Sequence, residues 1–431
     1  MHESLPSSDL ASAFFATALV LGLLLQVWLA SRQVRHVARN RAAVPDAFVH
    51  TIALAAHQKA ADYTIAKSRL GLLELAFSTT ILLGWTLLGG LGGLDRVLLG
   101  AIGEGRPLLQ QLTLLAAFAA VAGLLDLPFG YYRTFVLEAR FGFNKMTPGI
   151  WLADQAKAWL LAAAIGLPLA LLVLVLMAAA GSAWWLWLWG VFMAFNLLTL
   201  LLYPTVIAPL FNQFKPIEDA SLIARVTALM QRCGFAAKGL FVMDGSRRSA
   251  HANAYFTGFG AAKRVVFYDT LLAKLSPGEV DAVLAHELGH FRHRHVVKRI
   301  ASLAAMSLAS LAALGWLAGQ AWFFTGLGVT PHVGLGSTVP DHALALLLFL
   351  LVIPVFSIFV SPLMAQLSRR QEFEADAYAV SHTNGADLAS ALLKLYEDNA
   401  STLTPDPLFV SFYYSHPPAS ERLARMARAP A

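Results

Sequence analysis

The sequence predicts a mainly α-helical, polytopic membrane protein that carries a small α+β insert. Three observations predict it. Of 431 residues, 57% are hydrophobic and only 13% are charged, about half the charged share of an ordinary soluble domain. Seven mainly apolar stretches recur, each near the roughly 20 residues a helix needs to cross a hydrocarbon core about 30 Å thick. The lysines and arginines are also distributed unevenly between alternate loops, as the positive-inside rule requires of a spanning chain.

The spans are expected at 10–30, 70–94, 108–131, 157–181, 183–208, 300–324 and 342–367. The leader MHESLPSSDL has no lysine or arginine, whereas Arg32, Arg35, Arg39 and Arg41 follow the first apolar run. This order predicts an uncleaved anchor with its N-terminus outside. A Gly181-Ser182 turn separates the fourth and fifth spans. Thirty of the 32 lysines and arginines fall in loops of one parity, and only Arg96 and Arg106 fall in the other. The long insert and the C-terminus are therefore expected in the cytoplasm. These loops account for the net charge of +6 without a nucleic-acid partner. Four regions follow: five spans in 1–211, a cytoplasmic insert at 212–299, two spans in 300–367, and a cytoplasmic C-terminal region at 368–431. The single Cys233 excludes an internal disulfide and a thiolate metal cage, so any metal must use histidine and carboxylate.

Within the insert, 219–234 reads as an amphipathic helix, and Leu240–Met243 and Arg264–Tyr268 as short strands. Gly258, Gly260 and Ala261-Ala262-Lys263 read as turn material. Ser276-Pro277-Gly278-Glu279 combines an N-cap serine, proline at the first helical position and glutamate at the third, which is a capping box. The helix it starts carries His286-Glu287-Leu288-Gly289-His290 and is expected to run on into the sixth span. Two histidines four apart share a helix face and can reach one Zn²⁺, with Glu287 placed to take a proton from water.

A third ligand is needed. His293 is seven residues from His286, a rise of about 10.5 Å, so it cannot join both histidines on one ion. Val296 occupies the position where a further local motif would continue. The better candidate is Glu372, which follows the seventh span on the same side of the membrane. Asp376 lies one turn later on the same face and can accept the second N–H of a ligating histidine, fixing its tautomer. Glu374 is expected to be a solvated surface carboxylate, and His293 and His295 to serve in packing or outer hydrogen bonds.

Longer blocks surround these motifs: Leu127-Pro128, Tyr131 to Val136 with Glu138, Gly142-Phe143-Asn144, Asp154, Tyr203-Pro204, Ile207 to Asn212, Asp244 to Ser249 with His251, Asn253 to Phe256, Gly258-Phe259, and Ser415-His416-Pro417 with Arg422. With them the chain resembles the M48 zinc metallopeptidases, in the bacterial form of the CAAX prenyl protease 1 (Ste24-like) branch, over nearly its whole length. The resemblance implies seven spans enclosing a water-filled chamber and a zincin-like (gluzincin) catalytic insert. It also implies one Zn²⁺ per chain on His286, His290 and Glu372, with Glu287 as general base and Asp376 in a supporting or catalytic role. His416 and Arg422 would stabilise the oxyanion or orient substrate, and Asn253, Ala254 and Tyr255 would form an edge strand that receives an extended peptide. The expected partners are membrane lipid and a peptide or protein with a prenylated CaaX C-terminus, at a bacterial inner membrane. Two other readings stay open: broad quality-control proteolysis of membrane proteins, and a non-catalytic membrane scaffold. Glu74, Asp126, Glu138 and Asn144 are expected to line a cavity or meet a partner.

Overall fold

The computed structural model describes residues 7–235, 239–257 and 264–427. The expected turn at 258–263 lies outside the described residues. The chain opens with helix α1 (Ser8–Arg39), capped by Ser7, whose side chain accepts from Leu10 N–H. α2 (Leu54–Trp85) and α3 (Gly90–Ile102) follow, then α4 (Pro107–Tyr132), α5 (Pro148–Ala179) and α6 (Trp184–Leu202). Single π-helical stretches extend α4 through Arg133–Glu138 and α6 through Tyr203–Ile207. A short α7 (Ala208–Phe211) leads to the insert.

Six helical units are long and apolar enough to cross a membrane, and the α2–α3 pair, bent by 51°, makes a seventh if it counts as one span. The second span thus differs from the straight 70–94 stretch expected. The helix breaks between Trp85 and Gly90 because Gly89 adopts φ 77°, a conformation that glycine tolerates and other residues resist. Lipid acts as solvent for the outer faces, which explains the exposure of Leu160, Leu172 and Trp187.

The insert holds a four-stranded sheet in the order β1-β2-β4-β3, from β1 (Phe214–Pro216), β2 (Gly239–Met243), β3 (Ala254–Thr257) and β4 (Arg264–Tyr268). β2 and β4 run parallel, and β3 pairs antiparallel with β4 at the sheet edge. α8 (Ala220–Arg232), capped by Asp219, buries Val226, Leu229 and Met230 on one side of this sheet's core. After α9 (Asp269–Leu272) comes α10 (Pro277–Arg292), which carries the HELGH motif. Its capping box is present: Glu279 N–H donates to Ser276 Oγ (3.4 Å) and Ser276 N–H to Glu279 Oε2 (2.6 Å).

α10 does not run into the sixth span. It ends at Arg292, Arg294 takes φ 54°, and α11 starts afresh at His295 (His295–Leu317). No glycine or proline marks this break, and nothing local in the residues His293-Arg294-His295 signals it. After α12 (Ala321–Thr325), α13 (His342–His382) is a single helix of 41 residues, about 60 Å long. That is twice the hydrocarbon thickness. Its first half is a span, and its second half projects beyond the membrane and packs on α10. α14 (Gly385–Asp398), α15 (Pro407–Tyr413) and α16 (Ala419–Met426) complete the catalytic side.

Polar links dock the insert on the membrane helices. Arg248 donates twice to Asp154, at 2.8 and 3.0 Å. Tyr63 O–H donates to Glu138 (2.6 Å), and His251 Nε2 lies 3.5 Å from the same carboxylate. Glu138 thereby meets the partner its depth called for.

Candidate metal centre

α10 and α13 build the centre by close helix packing. The turn bearing His286, Glu287 and His290 faces the turn of α13 that bears Glu372 and Asp376, and Glu372 and Asp376 are both buried. His286 Nε2 is 3.2 Å from His290 Nε2, and each of these atoms is 3.5 Å from an oxygen of Glu372. His286, His290 and Glu372 form the group of described residues able to hold a metal ion.

The fit can be tested on distances. A tetrahedral Zn²⁺ with bonds of about 2.0–2.1 Å separates its ligand atoms by about 3.3 Å; the two Nε2 atoms stand 3.2 Å apart, and the carboxylate faces them with a different oxygen 3.5 Å from each, Oε2 from His286 and Oε1 from His290. Glu372 Oε2 is also buried and makes no hydrogen bond among the described residues, a costly condition for a carboxylate oxygen unless a cation meets it. The donor set of two imidazoles and one carboxylate suits zinc, and leaves one tetrahedral position for substrate or water.

The electrostatics agree. Burial lowers His290 to about 3, with His286 adding to the effect, so His290 is the neutral imidazole that a metal requires. Burial alone would also lower His286, but the neighbouring carboxylates of Asp376 and Glu372 prevail and raise it to about 9. The pocket therefore favours positive charge at this point. Burial pushes the Glu287 carboxyl above its usual range.

An outer layer fixes the ligands. Asp376 Oδ1 lies 2.9 Å from His286 Nδ1, which leaves Nε2 free to face the triad. Arg422, itself buried, donates from Nε and Nη2 to the two oxygens of Asp376 (2.8 and 2.5 Å). Its Nη1 is 4.0 Å from Glu372. Arg422 thus holds Asp376 and also borders the triad itself, with Nη2 3.5 Å from His286 Nδ1. His416 Nε2 is 3.3 Å from Glu372 Oε1, and its side chain is open to the cavity beside it.

Glu374 is exposed, as the sequence led one to expect of a surface carboxylate, but it also takes part in a contact that the sequence did not indicate. It lies 2.8 Å from His295 Nε2, and His295 Nδ1 lies 2.9 Å from His290 Nδ1. The break at Arg294 is the reason. Five residues along an unbroken helix would turn His295 about 140° away from His290, whereas the left-handed Arg294 turns it back. His293 stays outside the triad and stacks on His295.

Substrate-facing groups line a cavity of about 580 Å³ that includes His286, Glu287, Glu372, His416, Asn253 and Ala254. Tyr255 is not in its wall; it pairs with Val266 and meets the Tyr268 ring edge-on. Asn253 Oδ1 accepts from Ala254 N–H, so its amide nitrogen remains available. An adjoining cavity of about 750 Å³ is walled by α1, α2, α14 and α15, the hollow side of the span assembly.

A helical membrane assembly with a His-His-Glu triad and an adjacent glutamate defines an integral-membrane metalloprotease. Residues 33–213 match the family described as CAAX prenyl protease N-terminal, five membrane helices, and residues 216–429 match peptidase family M48. The chain is 34% identical to CAAX prenyl protease 1 of Saccharomyces cerevisiae over 325 residues, 74% of this chain and 72% of that one. It is 32% identical to the CAAX prenyl protease 1 homolog of Oryza sativa subsp. japonica over 422 residues, 95% of each. The crystal structure of S. mikatae Ste24p superposes with a TM-score of 0.89 at 28% identity, covering 98% of this chain and 99% of that one. The chain belongs to peptidase family M48, and membership implies a bound metal.

Proposed function

We propose that this protein is a zinc endopeptidase that cleaves near the C-terminus of prenylated CaaX-type proteins, with one Zn²⁺ per chain on His286, His290 and Glu372. The observation that carries the reading is the convergence of His286 Nε2 and His290 Nε2, 3.2 Å apart, on the Glu372 carboxylate, each 3.5 Å from a different one of its oxygens. Bound there, zinc would supply Lewis acidity toward the scissile carbonyl. Glu287 takes a proton from the attacking water and delivers it to the leaving amine. Asp376 holds the His286 tautomer and Arg422 holds Asp376. His416, open to the cavity, supplies an N–H toward the developing oxyanion. The edge strand β3, with Asn253, Ala254 and Tyr255, receives the peptide by strand addition. The names of the relatives support the CaaX substrate class, and the lysine and arginine asymmetry supports a cytoplasmic site with the N-terminus outside.

The test uses the full chain in detergent. Near-stoichiometric zinc and cleavage of a farnesylated CaaX peptide, lost in Glu287→Gln, are expected. Absence of zinc, or undiminished cleavage in that variant, would overturn the reading. Equal cleavage of the unprenylated peptide would move the substrate class to general proteolysis.

A further inference from the structure

We infer that Lys67 binds the C-terminal carboxylate of the peptide substrate and so sets which bond meets the metal centre. This rests on the peptidase reading above. Lys67 projects from α2 and lines both cavities, the one holding His286, Glu287 and Glu372 and the larger one behind it. The Tyr63 ring lies 4.4 Å from its ammonium. Among the described residues no carboxylate lies within 4.0 Å of it. Glu138, which lines neither cavity and attracts this ammonium at longer range, is engaged by Tyr63 and His251. Arg422, the other cationic side chain of both walls with a permanent charge, is committed to Asp376. Among the described residues, Lys67 is thus the cation of both walls with no carboxylate in ion-pair contact.

A lysine on a cavity wall with no carboxylate in direct contact favours an incoming anion. A peptide that enters by its C-terminus brings one. Hydroxyls of Thr64 and Ser401 line the same wall and can complete the hydrogen bonds of a carboxylate. Three extended residues span roughly 10 Å, so a fixed anchor for the terminal carboxylate acts as a ruler for a cut a set number of residues away. Recognition of this kind also explains how an enclosed endopeptidase discriminates free C-termini from internal segments.

The experiment compares one peptide sequence with a free acid and with an amidated C-terminus, using the zinc-loaded full chain in detergent. The parent is expected to prefer the acid by at least tenfold in kcat/KM, carried mostly by KM. Lys67→Met should reduce that preference to near one while cleaving the amide as the parent does, and Lys67→Arg should keep it. Equal cleavage of acid and amide by the parent, or an undiminished preference in Lys67→Met, would overturn the inference. Binding of the two peptides to the Glu287→Gln protein separates it from the functional reading. A Lys67-dependent acid preference in binding, with neither peptide cleaved by the parent, upholds Lys67 as the anchor and sinks the peptidase reading.

Discussion

A Cβ built on Gly289 would stand 2.9 Å from Ala375 Cα and 3.1 Å from Ala375 O. The two helices of the metal centre therefore touch backbone to backbone, and they do so between the residues that matter. Gly289 lies between Glu287 and His290, and Ala375 lies between Glu372 and Asp376. The glycine in this motif serves the approach that brings the third ligand to the first two. Gly289→Ala gains about 1 kcal/mol of helix propensity, but overpacking typically costs about 1–3 kcal/mol. The atoms in the way are backbone and cannot rotate aside, so the clash prevails. Metal affinity is expected to fall at least tenfold, with a lower melting temperature and helix content retained. Gly166→Ala, which meets nothing within 4 Å, is the neutral control. Parent-like zinc retention in Gly289→Ala would refute the role given to this contact.

Much of this centre was legible in the sequence because its signals are local. Apolar runs marked the spans, the Ser276/Glu279 box marked the start of α10, and the i, i+4 spacings put His286 with His290 and Glu372 with Asp376. What stayed illegible depends on distant partners or on unmarked backbone. Arg294 adopts a left-handed conformation that its residue type does not advertise, and this misdirected the expectation of a continuous helix. Glu374 faces away from Glu372 on α13, and only the docking of α11 shows that it faces His295. Lys67 is an ordinary lysine in sequence, and part of the wall it shares, Ser401 included, comes from elements more than three hundred residues away.

Arg422 and Asp376 form a buried bidentate pair directly behind His286. Removing one partner of such a pair typically costs about 3–5 kcal/mol because the other charge is left buried alone. Arg422→Met should therefore destabilise the catalytic side by that order. Asp376→Asn should weaken zinc about 10–100-fold through loss of ligand orientation. Thermal unfolding and competition with a chelator check the two effects separately. Unchanged chelator competition in Asp376→Asn would remove the case for Asp376 as the orienting group.

His295 transmits the Glu374 carboxylate to His290. With His290 ligating through Nε2, its Nδ1–H donates to His295 Nδ1, and His295 Nε2–H donates to Glu374. One neutral tautomer of each ring satisfies the whole chain. His295→Ala is expected to speed zinc loss to a chelator about tenfold or more, and Glu374→Gln should speed it less because an amide oxygen still accepts the proton. An unchanged rate in His295→Ala would show the contact to be packing alone. Arg294→Gly should leave zinc retention intact and add about 1 kcal/mol of stability by relieving the left-handed backbone.

Glu279 gives the insert a defined acid sensitivity. Its carboxylate accepts from Ser276 N–H, Ser390 Oγ (2.6 Å) and Lys394 Nζ (2.7 Å). Burial would raise its carboxyl, but the hydrogen bonds to Lys394, Ser390 and Ser276 prevail and hold it at about 2 against an ordinary 4.5. A carboxyl lowered by folding stabilises the native state in full above its unfolded value. That contribution, about 3 kcal/mol, is lost as pH falls from about 4.5 toward 2. Glu279→Gln should therefore unfold at a clearly lower temperature than the parent at pH 7. The gap should narrow steadily below pH 4.5 as the parent loses what the variant never had. Zinc loss at low pH affects both proteins, so the difference between their melting curves isolates Glu279. A gap that stays constant from pH 7 to pH 3 would mean that the charge on this carboxylate contributes nothing to the fold.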